Sequence, residues 1–376
     1  MFELDEHHRG LAETARAVAA SVAGHADEAD DMLTVHPVMR EALRESGLPE
    51  LCVVNAFGGR SDKIDPLAIT VVREALMAES AHLDGLFGMQ GIGSYALSLR
   101  GHPSVQERWL PRVARLDAIA ALALTEPEVG SDLKAITTTV VQDGDGLVVT
   151  GEKSFITNAG AADFYTVLAR EGEGYSLVLV PADTPGVSVE IGPRLIAPHI
   201  MGAVSFAGAR VPATHRIGDP GTAFKLVLTT LATFRVSVAG AAVGLAQAAL
   251  DEVVRHTNTR SQFGARLAEL GPIPHFVGTT WVEVESARLL TYQAAARAAA
   301  DPLAALDRSS MAKVAATEAA ARATDRAVQF SGRFGLVTGT KVERLYRNAR
   351  PMRVYEGGNE VLTGQLAKRL AKLSGY

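Results

Sequence analysis

From about residue 3 to residue 116, apolar positions recur every three and four residues, a spacing that predicts several helices packed together. The pattern breaks at Gly47-Leu48-Pro49, Phe57-Gly58-Gly59 and Gly101-His102-Pro103, where glycine and proline interrupt helical backbone. From about 118 to 217 the texture changes to short β-branched runs over 137–141, 147–150, 164–168, 175–180 and 187–191. Asp143-Gly144-Asp145-Gly146 between the first two runs predicts a hairpin. Pro181-Ala182-Asp183-Thr184-Pro185-Gly186 predicts a turn between the last two. After Asp219-Pro220-Gly221 helical periodicity returns over 223–257, 279–300 and 309–329, all Ala-rich and short of strand formers. The pattern predicts an α+β chain: a helical domain over 1–117, an antiparallel β domain over 118–221 and a helical bundle over 222–376.

Charge narrows the function classes. The 37 basic and 42 acidic residues leave a net charge of −5, which gives no reason to expect a nucleic-acid or anionic-membrane surface. Cys52 is the one cysteine, which excludes an intramolecular disulfide, a thiolate zinc site and an iron–sulfur cluster, and fits a reducing compartment. The start, Met1-Phe2-Glu3-Leu4-Asp5-Glu6-His7-His8, lacks the basic and apolar regions of a secretory signal and the Arg bias of an organelle presequence. No apolar run is read as reaching the roughly 20 residues of a membrane span. The expectation is a cytoplasmic protein.

Four segments carry candidate chemistry, and each has a plainer reading beside it. Thr125-Glu126-Pro127-Glu128-Val129-Gly130-Ser131-Asp132 follows an apolar run, and its proline and glycine force turns. Such a loop leaves backbone N–H groups and the hydroxyls of Thr125 and Ser131 to meet an electron-rich ring edge or a phosphate; it also fits an ordinary polar loop. Glu356 sits in Met352-Arg353-Val354-Tyr355-Glu356-Gly357-Gly358, where an apolar setting desolvates a carboxylate towards the pKa of a general base. A surface glutamate in a helix-ending turn is the alternative. Gly151-Glu152-Lys153-Ser154-Phe155-Ile156-Thr157-Asn158 suits the face and polar edge of a flat heterocycle, or is a strand followed by a turn. In Thr259-Arg260-Ser261-Gln262-Phe263-Gly264, Arg260 suits a pyrophosphate, or merely complements a helix C-terminus.

Other motifs are discounted. Gly91-Ile92-Gly93-Ser94-Tyr95-Ala96 has dinucleotide-fingerprint spacing but follows a helical region, so it reads as helix-packing or turn glycines. Ser131-Asp132-Leu133-Lys134 lacks the other elements of an acylase. The ten histidines show no metal-ligand spacing, and no Gly-Lys-Ser/Thr phosphate loop is present.

Taken in order, these segments resemble the acyl-CoA dehydrogenase family over nearly the whole chain. The matches are Leu124-Thr125-Glu126-Pro127-x-x-Gly130-Ser131-Asp132, Phe155-Ile156-Thr157-Asn158, Arg260-x-x-Phe263-Gly264, Val342-Glu343-Arg344-Leu345-Tyr346-Arg347 and Tyr355-Glu356-Gly357. Gly240-Ala241-Ala242-Val243-Gly244-Leu245-Ala246-Gln247 resembles the family's first bundle helix. The resemblance implies a C-terminal four-helix bundle and FAD bound between it and the β domain. It places Leu124, Thr125, Phe155 and Thr157 around the isoalloxazine, and brings Arg260, Phe263, Gln329 and the Gly332 segment to the adenylate and pyrophosphate from a partner chain in a homotetramer. Ser131, Arg235, Tyr355 and Gly357 fall at substrate positions, and an electron-transfer flavoprotein is the implied acceptor.

The resemblance also implies the reaction. Glu356 takes the α-proton of an acyl-CoA thioester, and the enolate oxygen is held by the Glu356 backbone N–H and a ribityl hydroxyl. The β-hydrogen leaves as hydride to flavin N5, giving the 2-enoyl thioester. The chain departs from the family at Gly358, where threonine is common, at Gly332-Arg333, where a glycine pair is common, near Gly271-Pro272, and at Ala232, where aspartate is common. Ala232 keeps open a second function, a dehydrogenase for acyl groups tethered to a carrier protein. A catalytically silent or nucleic-acid-associated relative is opposed by Glu356 and by the lack of a basic appended domain.

Overall fold

The computed structural model describes residues 3–197 and 199–375, so Met1 and Phe2 of the N-terminal reading lie outside it. The chain opens with six helices: α1 (Glu6–Val22), α2 (Ala26–Asp31), α3 (Pro37–Glu45), α4 (Pro66–Met77), α5 (Ala81–Arg100) and α6 (Pro103–Ala114). Their boundaries follow from local chemistry. Asp65 accepts the Leu67 N–H at 2.8 Å, and Pro66 occupies the first helical position, where a missing N–H costs nothing. His102 and Pro103 do the same for α6. Gly47 turns the chain with φ 66°, and a hydroxyl cap from Ser80 to the Leu83 N–H starts α5. The discounted glycines lie inside α5, where a Cβ at Gly91 would fall 2.3 Å from the Phe234 ring and one at Gly93 2.7 Å from Ala120, so close packing explains them.

The β domain comprises β1 (Ala120–Ala123), β2 (Thr139–Asp143), β3 (Gly146–Thr157), β4 (Phe164–Glu171), β5 (Gly174–Pro181), β6 (Val187–Ile191), β7 (Met201–Pro212) and β8 (Arg216–Ile217). The order is β6-β7-β3-β2-β4-β5-β8, with β1 beside β4. Pairing is antiparallel except where β1 and β2 meet β4. The hairpin falls at Gly144-Asp145, with Asp143 opposite Gly146. β7 went unread in the sequence and β3 runs past the predicted end at 150, with register shifts near Val149/Gly151 and Lys153/Ile156. Those bulges turn the end of β3 and re-aim Phe155.

The second helical region holds α7 (Ala223–Thr259), a two-stranded hairpin of β9 (Ser261–Gln262) and β10 (Ala265–Arg266), α8 (Ile273–Ala300), α9 (Leu306–Ser331), α10 (Lys341–Met352) and α11 (Asn359–Leu373). One expectation needs correcting: α7 is long and apolar enough to cross a membrane by composition. Its apolar window is 78% buried inside the protein, because α4, α8 and α9 surround it, so its hydrophobicity serves the core. A Cβ at Gly240 would sit 2.6 Å from the Thr70 carbonyl oxygen and one at Gly244 1.8 Å from that of Glu74, so α7 lies backbone to backbone on α4.

Candidate active site

Glu356 lies in the turn between α10 and α11 with φ 54°, followed by Gly357 with φ 96°. Two cations fix this turn by its carbonyls. Arg235 of α7 donates from Nε to the Glu356 carbonyl at 2.9 Å and from Nη1 to Ser310 Oγ at 3.2 Å. Lys313 of α9 donates to the Gly357 carbonyl at 2.8 Å and to Asn359 Oδ1 at 2.9 Å. Asn359 is in turn tied to Thr317 and Glu318. The carboxylate is thereby left over: its buried Oε2 has no hydrogen-bond partner among the described residues. Burial raises its pKa above the usual carboxylate range, opposed by Arg235, Arg73 and Lys313. Burial, helped by Arg235, lowers Lys313 to about 8.

Tyr355 is 39% exposed and so borders open space, while the protein around it pushes its phenol pKa up through desolvation. Close by, Arg73 of α4 and Asp84 of α5 form a buried bidentate pair at 2.8 and 2.7 Å, and Arg73 Nη1 reaches Ser237 Oγ at 3.0 Å.

On the β domain, Leu124, Thr125 and Glu126 are fastened to β3. Lys153, fully buried, donates to the Leu124 carbonyl and to Glu126 Oε1, both at 2.9 Å. Burial alone would raise Glu126, but bonds from Thr138, Thr137 and Lys153 hold it at about 2; burial lowers Lys153 to about 8 despite Glu126. The Thr125 hydroxyl is not free as expected: it donates to the Ser154 carbonyl at 2.5 Å, which leaves it an acceptor. Phe155 has φ 53° and is 64% exposed, and Thr157 is half-buried two residues further along the same strand. An exposed aromatic in a strained conformation beside a rigid backbone edge fits the face and edge of a flat heterocycle. Ser131 stands on an exposed loop. A cavity of about 390 Å³ beside Phe155 is lined by Glu190, Ile191, Leu195 and Met201 and includes none of the residues around Glu356.

The remaining candidates are not brought to this place. Arg260 follows the C-terminus of α7, over the Phe334 ring at 5.8 Å. Phe263, φ 51°, stands 97% exposed at the tip of the β9–β10 hairpin. Gln329 and Gly332 are exposed at the end of α9. Arg235 and Arg260 are separated along α7 and its cap by roughly 37 Å at the helical rise. The Glu356 turn, held from the body of α7, and the hairpin past its C-terminus are thus separate places on one chain.

Family models match all three parts of the chain: "Acyl-CoA dehydrogenase, N-terminal domain" over 5–117, "middle domain" over 121–201 and "C-terminal domain" over 221–371. A "Probable acyl-CoA dehydrogenase" of Mycobacterium tuberculosis is 32% identical over 99% of this chain and 97% of its own. The chain belongs to the acyl-CoA dehydrogenase family. It is an oxidoreductase of CH–CH groups. Cyclohex-1-ene-1-carbonyl-CoA dehydrogenase of Geobacter metallireducens is 35% identical over 96% of this chain and 97% of its own. Among solved structures, butyryl-CoA dehydrogenase from Megasphaera elsdenii superposes with a TM-score of 0.93 at 27% identity, covering 99% of this chain and 100% of that one.

Within this acyl-CoA dehydrogenase, sequence reading missed Lys313, the Lys153–Glu126 pair and the Arg73–Asp84 pair. Each is a charge whose partner lies on another element, and no local spacing announces it. It also passed over His25, Glu28 and His36, whose ligand-type atoms lie within 4.8 Å of one another. His36 Nδ1 accepts the Met39 N–H at the start of α3, which puts the neutral ring's proton on Nε2, facing Glu28 at 3.3 Å. In that tautomer His36 caps a helix and has no lone pair of its own left for a metal.

Proposed function

We propose that the protein dehydrogenates an acyl-CoA thioester to its 2-enoyl thioester, with Glu356 as the base that takes the α-proton. The observation that carries this reading is the unpartnered, buried Oε2 of Glu356 on a turn whose backbone is fixed from both sides. A base that spends no hydrogen bond on the protein is free for substrate, and a raised pKa matches it to a weakly acidic C–H. Bound FAD supplies the hydride acceptor and electron sink. Leu124, Thr125, Phe155 and Thr157 would hold its ring from the β domain.

Arg260, Phe263, Gln329 and Gly332 would serve the cofactor of a second copy, because their distance from Glu356 bars them from their own. A homo-oligomer, in the family manner a tetramer, follows from that division. Arg235 acts through Glu356 by holding its carbonyl, and Tyr355, Gly357 and Ser131 border the thioester. An electron-transfer flavoprotein is the proposed acceptor, and the cytoplasm the proposed compartment.

The test is anaerobic titration of the flavin absorbance with acyl-CoAs and with the same acyl groups on a carrier protein. Glu356→Gln should keep the yellow flavin and slow substrate-driven reduction by about 10²- to 10⁴-fold. Undiminished reduction would remove Glu356 from the role, and bleaching by carrier-bound substrates alone would select the carrier-protein reading that Ala232 keeps open.

A further inference from the structure

Lys153 and Glu126 form a charge pair that the reaction itself leaves unused, and it ties together the two segments proposed to hold the flavin ring. Lys153 is fully buried and Glu126 is 5% exposed. The ammonium donates to Glu126 Oε1 and to the Leu124 carbonyl, both at 2.9 Å. The carboxylate also accepts the Thr138 N–H on Oε1 at 2.9 Å, and the N–H and hydroxyl of Thr137 on Oε2 at 2.6 and 2.8 Å, which fills its accepting capacity. The Glu126 backbone is closed as well, by bonds of its N–H and carbonyl to Val129 at 2.9 and 3.0 Å. On β3, the pairing with β7 passes over Ser154 and Phe155. Ser154 instead donates its N–H to the Thr125 carbonyl at 3.0 Å and accepts the Thr125 hydroxyl.

A buried ion pair adds little stability over apolar side chains of the same volume, so its worth here lies in geometry. Leu124 and Thr125 follow the end of β1, where pairing with β4 stops. Lys153 takes the first carbonyl past that end, Ser154 takes the second, and Glu126 anchors the next residue to Thr137 and Thr138, just ahead of β2. In this segment the N–H of half-buried Thr125 keeps no partner among the described residues. The geometry points to Lys153 and Glu126 as positioning residues for the cofactor: they fix the Leu124–Thr125 backbone against β3, so that this edge and Phe155 present one rigid cradle to the flavin ring. The inference rests on the placement of the ring proposed above. Both side chains are covered, so each acts through the backbone it holds. A ligand that meets a segment already ordered is spared the cost of ordering it.

The experiment measures the FAD dissociation constant, by the fluorescence of released flavin, and the flavin midpoint potential on the holoenzyme. It compares the wild type with Lys153→Met, Glu126→Gln and Gly244→Ala, the last a change that destabilises the helical bundle away from the pair. Lys153→Met should weaken FAD binding about tenfold or more. It should also move the potential to more negative values, because donors held against a ring edge favour the reduced, electron-richer form. Gly244→Ala should lower stability and keep wild-type affinity and potential. Glu126→Gln keeps the side-chain volume but turns one acceptor into a donor, and should shift both quantities in the same direction as Lys153→Met; it decides if Lys153→Met does not fold. Wild-type affinity and potential in the folded variants of the pair, or affinity that tracks stability across all three variants, makes the pair a structural tie and overturns the inference. Phe155→Ala tests the placement beneath it: if that variant keeps wild-type affinity and flavin absorbance, the ring lies elsewhere, and the placement fails instead.

Discussion

Glu356 adopts a left-handed backbone conformation that costs a side chain with a Cβ about 1–2 kcal/mol. The bonds from Arg235 and Lys313 hold it there, so strain and charge are concentrated in one residue. Its raised pKa has a stability consequence whose sign is fixed. A carboxyl whose folded pKa exceeds the unfolded value contributes stability below the unfolded pKa, and that contribution is lost as pH rises through the folded pKa. Glu356→Gln, neutral throughout, escapes this loss. Its melting temperature should exceed that of the wild-type holoenzyme at about pH 8, and the difference should vanish at about pH 4; thermal melts across that range check it, and a variant less stable at the higher pH would contradict a desolvated carboxylate. With Glu356 as the proposed base, activity should run the other way, since that base works only when ionised: kcat/KM should rise with pH through the same pKa. Lys313→Met, which removes a cation that lowers Glu356, should move that limb to higher pH; an unmoved limb in the pH profile would leave Lys313 only its bonds to Gly357 and Asn359.

At the scale of elements, α7 and α4 meet through Gly240 and Gly244. Gly244→Ala drives a methyl into the Glu74 carbonyl and should destabilise the protein by about 1–3 kcal/mol. Gly278→Ala, in α8 with no atom within 4 Å of its new Cβ, should instead gain about 0.5–1 kcal/mol. Denaturant titration of the two variants checks the contrast, and equal effects would mean propensity alone governs both. Legibility divides along similar lines. Helix breaks at Gly47, Gly101-His102-Pro103 and the hairpin at Gly144 were readable because turn and cap chemistry is local. β7 was not, since its Gly202 and Ala203 are poor strand formers that join a strand by pairing with β3 and β6, and Ala207 and Gly208 interrupt the run. Glu356 could be singled out as a lone carboxylate among apolar and glycine neighbours. The groups that tune it, Arg235, Lys313 and Arg73, come from α7, α9 and α4, and only the packing of those helices selects them.

Across the whole molecule, the length of α7 decides what one chain can do alone. Arg235 lies about a third of the way along α7 and Arg260 just past its end, roughly 37 Å apart at the helical rise, so the turn that Arg235 holds and the hairpin that bears Phe263 are set apart within one chain. Phe263 is almost wholly exposed, and Trp281, Val282 and Leu289 on α8 and Leu336 and Val337 after α9 are exposed as well. Apolar surface of that extent fits a face that another protein covers, and in the proposed assembly a second copy would supply what each half-site lacks. Phe263→Asp places a charge at the hairpin tip, where it must be desolvated on assembly. Size-exclusion chromatography with simultaneous detection at the flavin wavelength should therefore show a smaller species that has lost its yellow colour, both changes together. A small species with full flavin content would mean that one chain completes its own cofactor site, and an unchanged assembly with full colour would take the hairpin out of the interface.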